Sequence, residues 1–206
     1  MTGKERREQL LDIGRRLFAE RGLDGTSIEE IAAQAGVSKP VVYEHFGGKE
    51  GLYAVVVDRE VERFLTMATR LLEGEDTMAK FEMAAVHLLR YIQENSDGFR
   101  ILVRDSNPTS GSGTFASLIS DIASQVEYIL GDVLKARGYD PKLAPVYAQM
   151  LVGMVASAGQ WWLDARKPKL EEMAAHLVNL AWNGLRELDP KPRLSAEATS
   201  LLREGR

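Results

Sequence analysis

The 206-residue chain contains no cysteine, which excludes disulfide bonds, thiolate metal sites and thiol redox sensing. Its three histidines, His45, His87 and His176, lie far apart, and none stands in a metal-ligand spacing. No glycine loop of the kind that cradles phosphates and no nucleophile motif is present, so no catalysis and no cofactor is expected. Charge of neither sign dominates. The 26 Lys and Arg against 30 Asp and Glu leave a net charge of −4, which is not the balance of a protein that coats nucleic acid indiscriminately. Strand-like alternation and internal repeats are also missing. The charged N-terminus has no apolar segment behind it, so no signal peptide is expected and the cytoplasm is the expected location.

Long hydrophobic runs are scarce too. Leu143–Leu163 carries no charge and is long enough to cross a bilayer. It nevertheless holds Pro145, Tyr147, Gln149, Ser157 and Gln160, and many of its apolar residues are Ala or Gly, which makes it weakly hydrophobic for a span. A helix buried on two faces accounts for it better, and no membrane partner is expected.

What is present is a dense signal over Thr26–Glu50, TSIEEIAAQAGVSKPVVYEHFGGKE. Ser27 with Glu30 three residues on is a capping box and predicts a helix from Ile28. Ile28, Ile31, Ala32 and Ala35 share one face, and Gly36 ends the helix at a tight turn. Ser38 is read as the cap of a second short helix, with Lys39 and Pro40 in its first turn. Val37, Val42 and Phe46 face back toward the first helix. Two short helices joined by a glycine turn make a helix-turn-helix; a plain helical hairpin is the alternative these spacings leave. The outward face of the second helix carries Lys39, Pro40, Val41, Tyr43, Glu44 and His45, a set suited to entering a DNA major groove. Around it, Lys4, Arg6, Arg7, Arg15, Arg16 and Arg21 outnumber the acids of residues 1–21. That excess fits one phosphate-facing surface, or a solvated mixed-charge helix.

The motifs LFAERG at Leu17–Gly22, GTSIEEIA at Gly25–Ala32, AGVSK at Ala35–Lys39 and VYEHFGGKEGLY at Val42–Tyr53 resemble, in order and without a gap, the N-terminal domain of the TetR family of bacterial transcriptional regulators. The resemblance covers Arg7 to Tyr53 and says little about the rest of the chain. It implies a homodimer on double-stranded operator DNA and a helical C-terminal domain with a small-molecule pocket. Three positions depart from it. Gly14 stands where the family usually has Ala, at a cost of about 1 kcal/mol, and lets another helix approach. Gly48 stands where a capping Ser, Asn or Asp is usual, leaving helix N–H groups for a DNA phosphate beside Lys49. Glu44 puts a carboxylate near phosphates.

The remaining periodicities predict helices over Gly3–Arg21, Lys49–Leu72, Thr77–Ser96, Asp97–Asp105, Thr114–Arg137, Pro141–Arg166 and Lys169–Leu188. Asn107–Gly113 is a break, and Ser195–Glu204 a short terminal helix. The expected fold is all-α, with a helix-turn-helix DNA-binding domain over 1–48 and a C-terminal ligand-binding and dimerisation domain over 49–206. The helix from Lys49 is the covalent link between them.

Within the DNA-facing set, Lys39, Pro40 and Val41 are expected at base edges, with Ser38 beside them. Tyr43, His45, Lys49 and Thr26 are expected on phosphates. The helix over Pro141–Arg166 shows a bulky face (Tyr147, Met150, Leu151, Met154, Ala158, Trp161, Trp162) and a small one (Ala148, Val152, Val155, Ala156, Gly159). The small face, with the helix over Lys169–Leu188, suits a two-fold interface or packing within the subunit. The bulky face is expected to line an apolar cavity with Phe81, His87, Leu88, Tyr91, Phe99, Phe115, Ile119, Ile122 and Val126; ordinary core is the alternative. Arg100 and Arg104 suit an anionic ligand group, or pairs with Asp97 or Asp105. The function expected is a repressor that binds a palindromic operator as a dimer and is released by a small, largely apolar effector, for which a fatty acyl thioester is suitable. A ligand-independent DNA-binding protein and a ligand-dependent activator are the alternatives.

Overall fold

A capping box opens the chain: Glu5 N–H donates to Thr2 Oγ1 at 3.2 Å and Thr2 N–H to the Glu5 carboxylate at 2.6 Å. The computed structural model describes residues 1–70, 77–104 and 114–204. Its helices are α1 (Gly3–Arg21), α2 (Ile28–Ala35), α3 (Lys39–Phe46), α4 (Lys49–Arg70), α5 (Thr77–Glu94), α6 (Ser96–Arg104), α7 (Thr114–Ala136), α8 (Ala144–Ala165), α9 (Leu170–Arg186) and α10 (Ala196–Glu204). A short 3-10 turn, Pro141–Leu143, precedes α8. No strand occurs among the described residues, and the fold is all-α. The break expected at Asn107–Gly113 lies outside the described residues. No helix among them is long and apolar enough to cross a membrane.

Two of the expected caps differ in detail. Ser27 accepts the Glu30 N–H at 3.2 Å, but the Glu30 carboxylate turns to Arg21 at 2.5 Å rather than back to the Ser27 amide. Ser38 has the extended backbone of a cap residue, yet its hydroxyl makes no capping hydrogen bond.

Two apolar cores are arranged along α4. The first gathers Leu10, Ile13, Leu17 and Phe18 of α1 with Ile31, Val42, Leu52, Val56 and Ile101. Gly14 lets α4 lie close on α1, since a Cβ there would lie 2.9 Å from Leu52 Cδ2. The second core joins Phe64, Leu89, Ile92, Phe99, Leu102, Leu118, Trp162 and Leu177. A smaller cluster of Leu130, Leu134, Ala144, Ala148 and Leu185 packs α7 against α8. Leu52, Val56, Glu60 and Phe64 recur every fourth residue of α4 and are all buried. The inward stripe of α4 therefore runs through both cores, and the one charged residue on it falls where they meet.

Helix α6 spans the same junction. Ile101 enters the first core, while Phe99 and Leu102 enter the second. Arg104 Nη1 donates to Ala19 O at 2.6 Å and Phe18 O at 3.4 Å, satisfying carbonyls in the last turn of α1. Arg104 is thus a cap on the DNA-binding unit, which corrects its expected place in a ligand site. Replacing Arg104 with Ala should lower the unfolding free energy by about 1 kcal/mol in urea titration; an unchanged midpoint would contradict the capping role.

Candidate nucleic-acid interface and cavity

The face built by α2 and α3 follows from their short apolar stripes. Val42 is fully buried against α2, and Val37 and Phe46 pack beside it, so the other side of α3 must face solvent. Ser38, Lys39, Pro40, Tyr43 and Glu44 are exposed there, while Val41 and His45 are half-buried. Ser38 supplies no side-chain cap, Pro40 has no N–H and the Val41 N–H donates to Ser38 O at 3.1 Å, and the start of α3 carries the partial positive charge of a helix N-terminus, which favours anions. Lys39 is engaged in the free protein by an exposed ion pair with Glu29 of α2. The hydrogen bond from Lys39 is the main reason that the Glu29 carboxyl is held below the usual carboxylate range.

Two residues expected on phosphates are used internally instead. Thr26 is 2% exposed and its hydroxyl donates to Gly22 O at 2.8 Å. Lys49 Nζ donates to Leu23 O at 3.1 Å and Thr26 O at 3.2 Å. Together they tie the turn before α2 to the first turn of α4, because carbonyls left over by the turn lie within reach of the ammonium group. The sequence offered no sign of this, nor of the paired hydrogen bonds from Arg59 to Glu8 at 2.6 and 2.8 Å that fasten α4 to α1. The Arg7 guanidinium lies over the Phe46 ring at 4.8 Å and braces the end of α3.

Between α4, α5, α6, α7, α8 and α9 lies a cavity of about 160 Å³. Phe81, Leu88, Phe99, Ile119, Ile122 and Val126 line it as expected, and α4 adds Phe64, Met67 and Ala68. Lys80 and Gln125 bring its only polar side chains among the described residues. The two faces of α8 are exchanged relative to the expectation except at Leu151, which lines the cavity as expected, and Trp162, which is buried in the second core. Leu151, Val152, Val155 and Ala156 line the cavity, Ala148 packs in the α7–α8 cluster, and Gly159 sits so close to Ile92 that a Cβ would lie 2.9 Å from its Cδ1. Small residues let α8 lie down on its neighbours, which turns the bulky ones outward: Met150 is 62% and Trp161 59% exposed. Met150, Trp161, Met154 and Tyr147 do not line the cavity, and Tyr147 packs instead on the α7–α8 cluster. His87 is half-buried off the cavity, and Tyr91 is buried behind its wall. Arg100 pairs with Asp164 of α8, not with Asp97; Asp105 and the side chain of Phe115 lie outside the described residues. The sequence missed Phe64, Met67, Leu177, Val178 and Ala181 as lining. Their only signal was an apolar stripe, which core residues share.

A helix-turn-helix with an uncapped, exposed recognition helix, joined to a helical domain around an apolar cavity, defines a DNA-binding transcriptional regulator. Known proteins agree with that class. The family of bacterial regulatory proteins of the tetR type matches residues 10–56, and the tetracyclin repressor-like C-terminal domain matches residues 88–196. The chain belongs to the TetR family. The HTH-type transcriptional activator FasR of Mycolicibacterium smegmatis is 28% identical over 183 residues, covering 88% of this chain and 83% of that protein. A TetR-like transcriptional regulator from Rhodococcus sp. RHA1 shares the fold with a TM-score of 0.72 at 24% identity, over 89% of this chain and 97% of that one. The fatty acid degradation regulator FadR from Bacillus halodurans does so with a TM-score of 0.69 at 19% identity, over 88% and 96%.

Glu29 holds Lys39 in the free protein, so if Lys39 contacts DNA, Glu29→Gln should tighten operator binding by about two- to fivefold, the scale of one exposed ion pair. Fluorescence anisotropy on a labelled operator reads this; an unchanged or weaker affinity would show that Lys39 is not used at the interface.

Proposed function

We propose that this regulator binds a palindromic operator as a two-fold dimer and leaves it when a small, largely apolar effector occupies the cavity. The observation that carries the reading is the cavity lining, with apolar side chains from six helices and, among the described residues, only Lys80 and Gln125 polar. Such a surface selects hydrocarbon over polar metabolites, and a fatty acyl thioester fits it. FadR, which shares the fold, is a fatty acid degradation regulator, and this accords with the choice. Small-molecule sites usually measure about 300 to 1,000 Å³, so an acyl chain enters a 160 Å³ space only by parting its walls. That need for movement is what would connect binding to the DNA-facing helices.

Lys39, Pro40 and Val41 are assigned to base edges, and Tyr43, His45 and the open N-terminus at Ser38 to phosphates. The proposed dimer face is the outer side of α8 and α9, where Val146, Met150, Trp161 and Leu180 are 47%, 62%, 59% and 64% exposed. An unshielded stripe of this size on a monomer is an association site. A second reading, an activator working through the same cavity, is favoured by the FasR relative, which carries that designation. In vitro transcription from a bound promoter, with and without palmitoyl coenzyme A, decides the sign.

Selection of bound DNA from a random pool should enrich a palindrome with half-sites about 34–36 Å apart. Repeated with Lys39→Ala it should give a relaxed consensus, and with Tyr43→Ala the same consensus at lower affinity. Failure to enrich any palindrome would overturn the dimeric operator reading. Met150→Asp should yield a folded monomer by light scattering that no longer retains the operator; a persistent dimer would move the interface elsewhere.

A further inference from the structure

Glu60 is a carboxylate on the apolar stripe of α4, 1% exposed, at the meeting of the two cores. Arg15 of α1 donates to its Oε1 through Nε at 2.8 Å, and Arg63 of α4 through Nη1 at 2.7 Å. Gly98 of α6 lies directly against it: a Cβ there would sit 1.7 Å from Glu60 Oε2 and 3.0 Å from Arg15 Nη2. Among the described residues, the side-chain atoms buried without a hydrogen-bond partner are Glu60 Oε2, Arg15 Nη2 and the Tyr91 hydroxyl. Burial, with the neighbouring charge of Glu60 second, pushes the Tyr91 phenol far above its ordinary range, so it stays a neutral donor.

Tyr91 is also the piece that touches the cavity from behind. Its ring meets Phe64 edge-on at 5.4 Å and Phe99 at 6.5 Å, and both of those rings line the cavity. The geometry sets Tyr91 beside the Glu60 cluster: Phe64, on which its ring packs, stands one turn beyond Glu60 on α4, and Gly98, next to Phe99, lies against the Glu60 carboxylate that holds Arg15 of α1. A buried polar group that lacks a partner is poised to gain one if its neighbours shift slightly, which gives the cluster two discrete arrangements instead of a continuum.

We propose that Tyr91 and Glu60 are positioning residues that report cavity occupancy to α1, parting of Phe64 and Phe99 moving the Tyr91 hydroxyl onto Glu60 Oε2 and loosening its hold on Arg15. The inference rests on the effector-cavity reading above. It gives α6 a part in transmission as well, since Gly98 and Phe99 are adjacent on it, one against Glu60 and the other on the cavity wall.

The test uses the full chain and an operator selected from a random pool. Tyr91→Phe removes one hydroxyl from an apolar site and leaves the packing intact. Palmitoyl coenzyme A is titrated while Trp182, whose ring meets the cavity-lining Phe81 at 6.0 Å, reports occupancy and operator anisotropy reports release. Expected for Tyr91→Phe is unchanged probe affinity with release requiring about fivefold more probe, or lost, in line with ordinary allosteric coupling. Release at the wild-type probe concentration would overturn the proposal. If the probe does not bind the wild type, the acyl-effector reading fails, and a second measurement still decides the relay. Phe64→Leu should change the ligand-free operator Kd in the wild type but leave it almost unchanged in Tyr91→Phe, a non-additive cycle. Additive effects would overturn the relay, as would a Phe64→Leu that leaves operator affinity untouched in both backgrounds.

Discussion

A buried carboxylate between two guanidinium groups is the constraint on which the rest of the molecule depends. Burying a charge is tolerable only when it is paired and hydrogen-bonded, and Glu60 obtains its partners from two different helices, Arg15 of α1 and Arg63 of α4. The ion cluster therefore fixes how α4 lies on α1, and through Gly98 how close α6 comes. Removing one member of such a set leaves an uncompensated buried charge, typically costing about 3–5 kcal/mol. An apolar residue at this point on α4 would have been simpler, since Leu52, Val56 and Phe64 already make the stripe. A charge there gives direction and register where plain packing would allow sliding. The Arg104 cap on α1 and the double hydrogen bond of Arg59 to Glu8 secure the same relationship from either side.

The helices and the exposed face of α3 were legible because each was signalled locally. Ser27, Gly36, Gly47 and the Lys39-Pro40 start mark boundaries within a few residues of themselves, and the periodicity of Ile28, Ile31, Ala32 and Ala35 names the buried face. What was not legible depends on partners far along the chain. Thr26 and Lys49 look like phosphate contacts until the turn at Gly22–Leu23 folds its carbonyls beneath them. Arg104 reads as a cation beside a loop, and its partners Phe18 and Ala19 stand more than eighty residues away.

The two faces of α8 teach a more general lesson about size. Bulky residues were expected inside and small ones at the interface, yet close helix approach requires small residues, and α8 is pressed onto α5 and α7 by Ala148, Ala156 and Gly159. Met150 and Trp161 are left outside, where a second subunit is proposed to cover them. One consequence is a narrow cavity bounded by apolar side chains rather than by polar anchors. Apolar burial can supply several kcal/mol when a long chain enters, and only the part of that energy that differs between conformers can shift the regulator off DNA.

Occupying this cavity should change the separation of the two recognition helices, and that separation can be measured directly. The chain has no cysteine, so a single Glu20→Cys substitution at an exposed position of α1, outside the DNA-facing set, places one spin label per subunit. Pulsed electron-resonance distances should then be measured on the dimer bound to its operator, ligand-free, and with palmitoyl coenzyme A bound. On the operator the separation should be that of units seated in successive major grooves, and filling the cavity should displace the distribution. Release from the operator with an unchanged separation would contradict the proposed coupling.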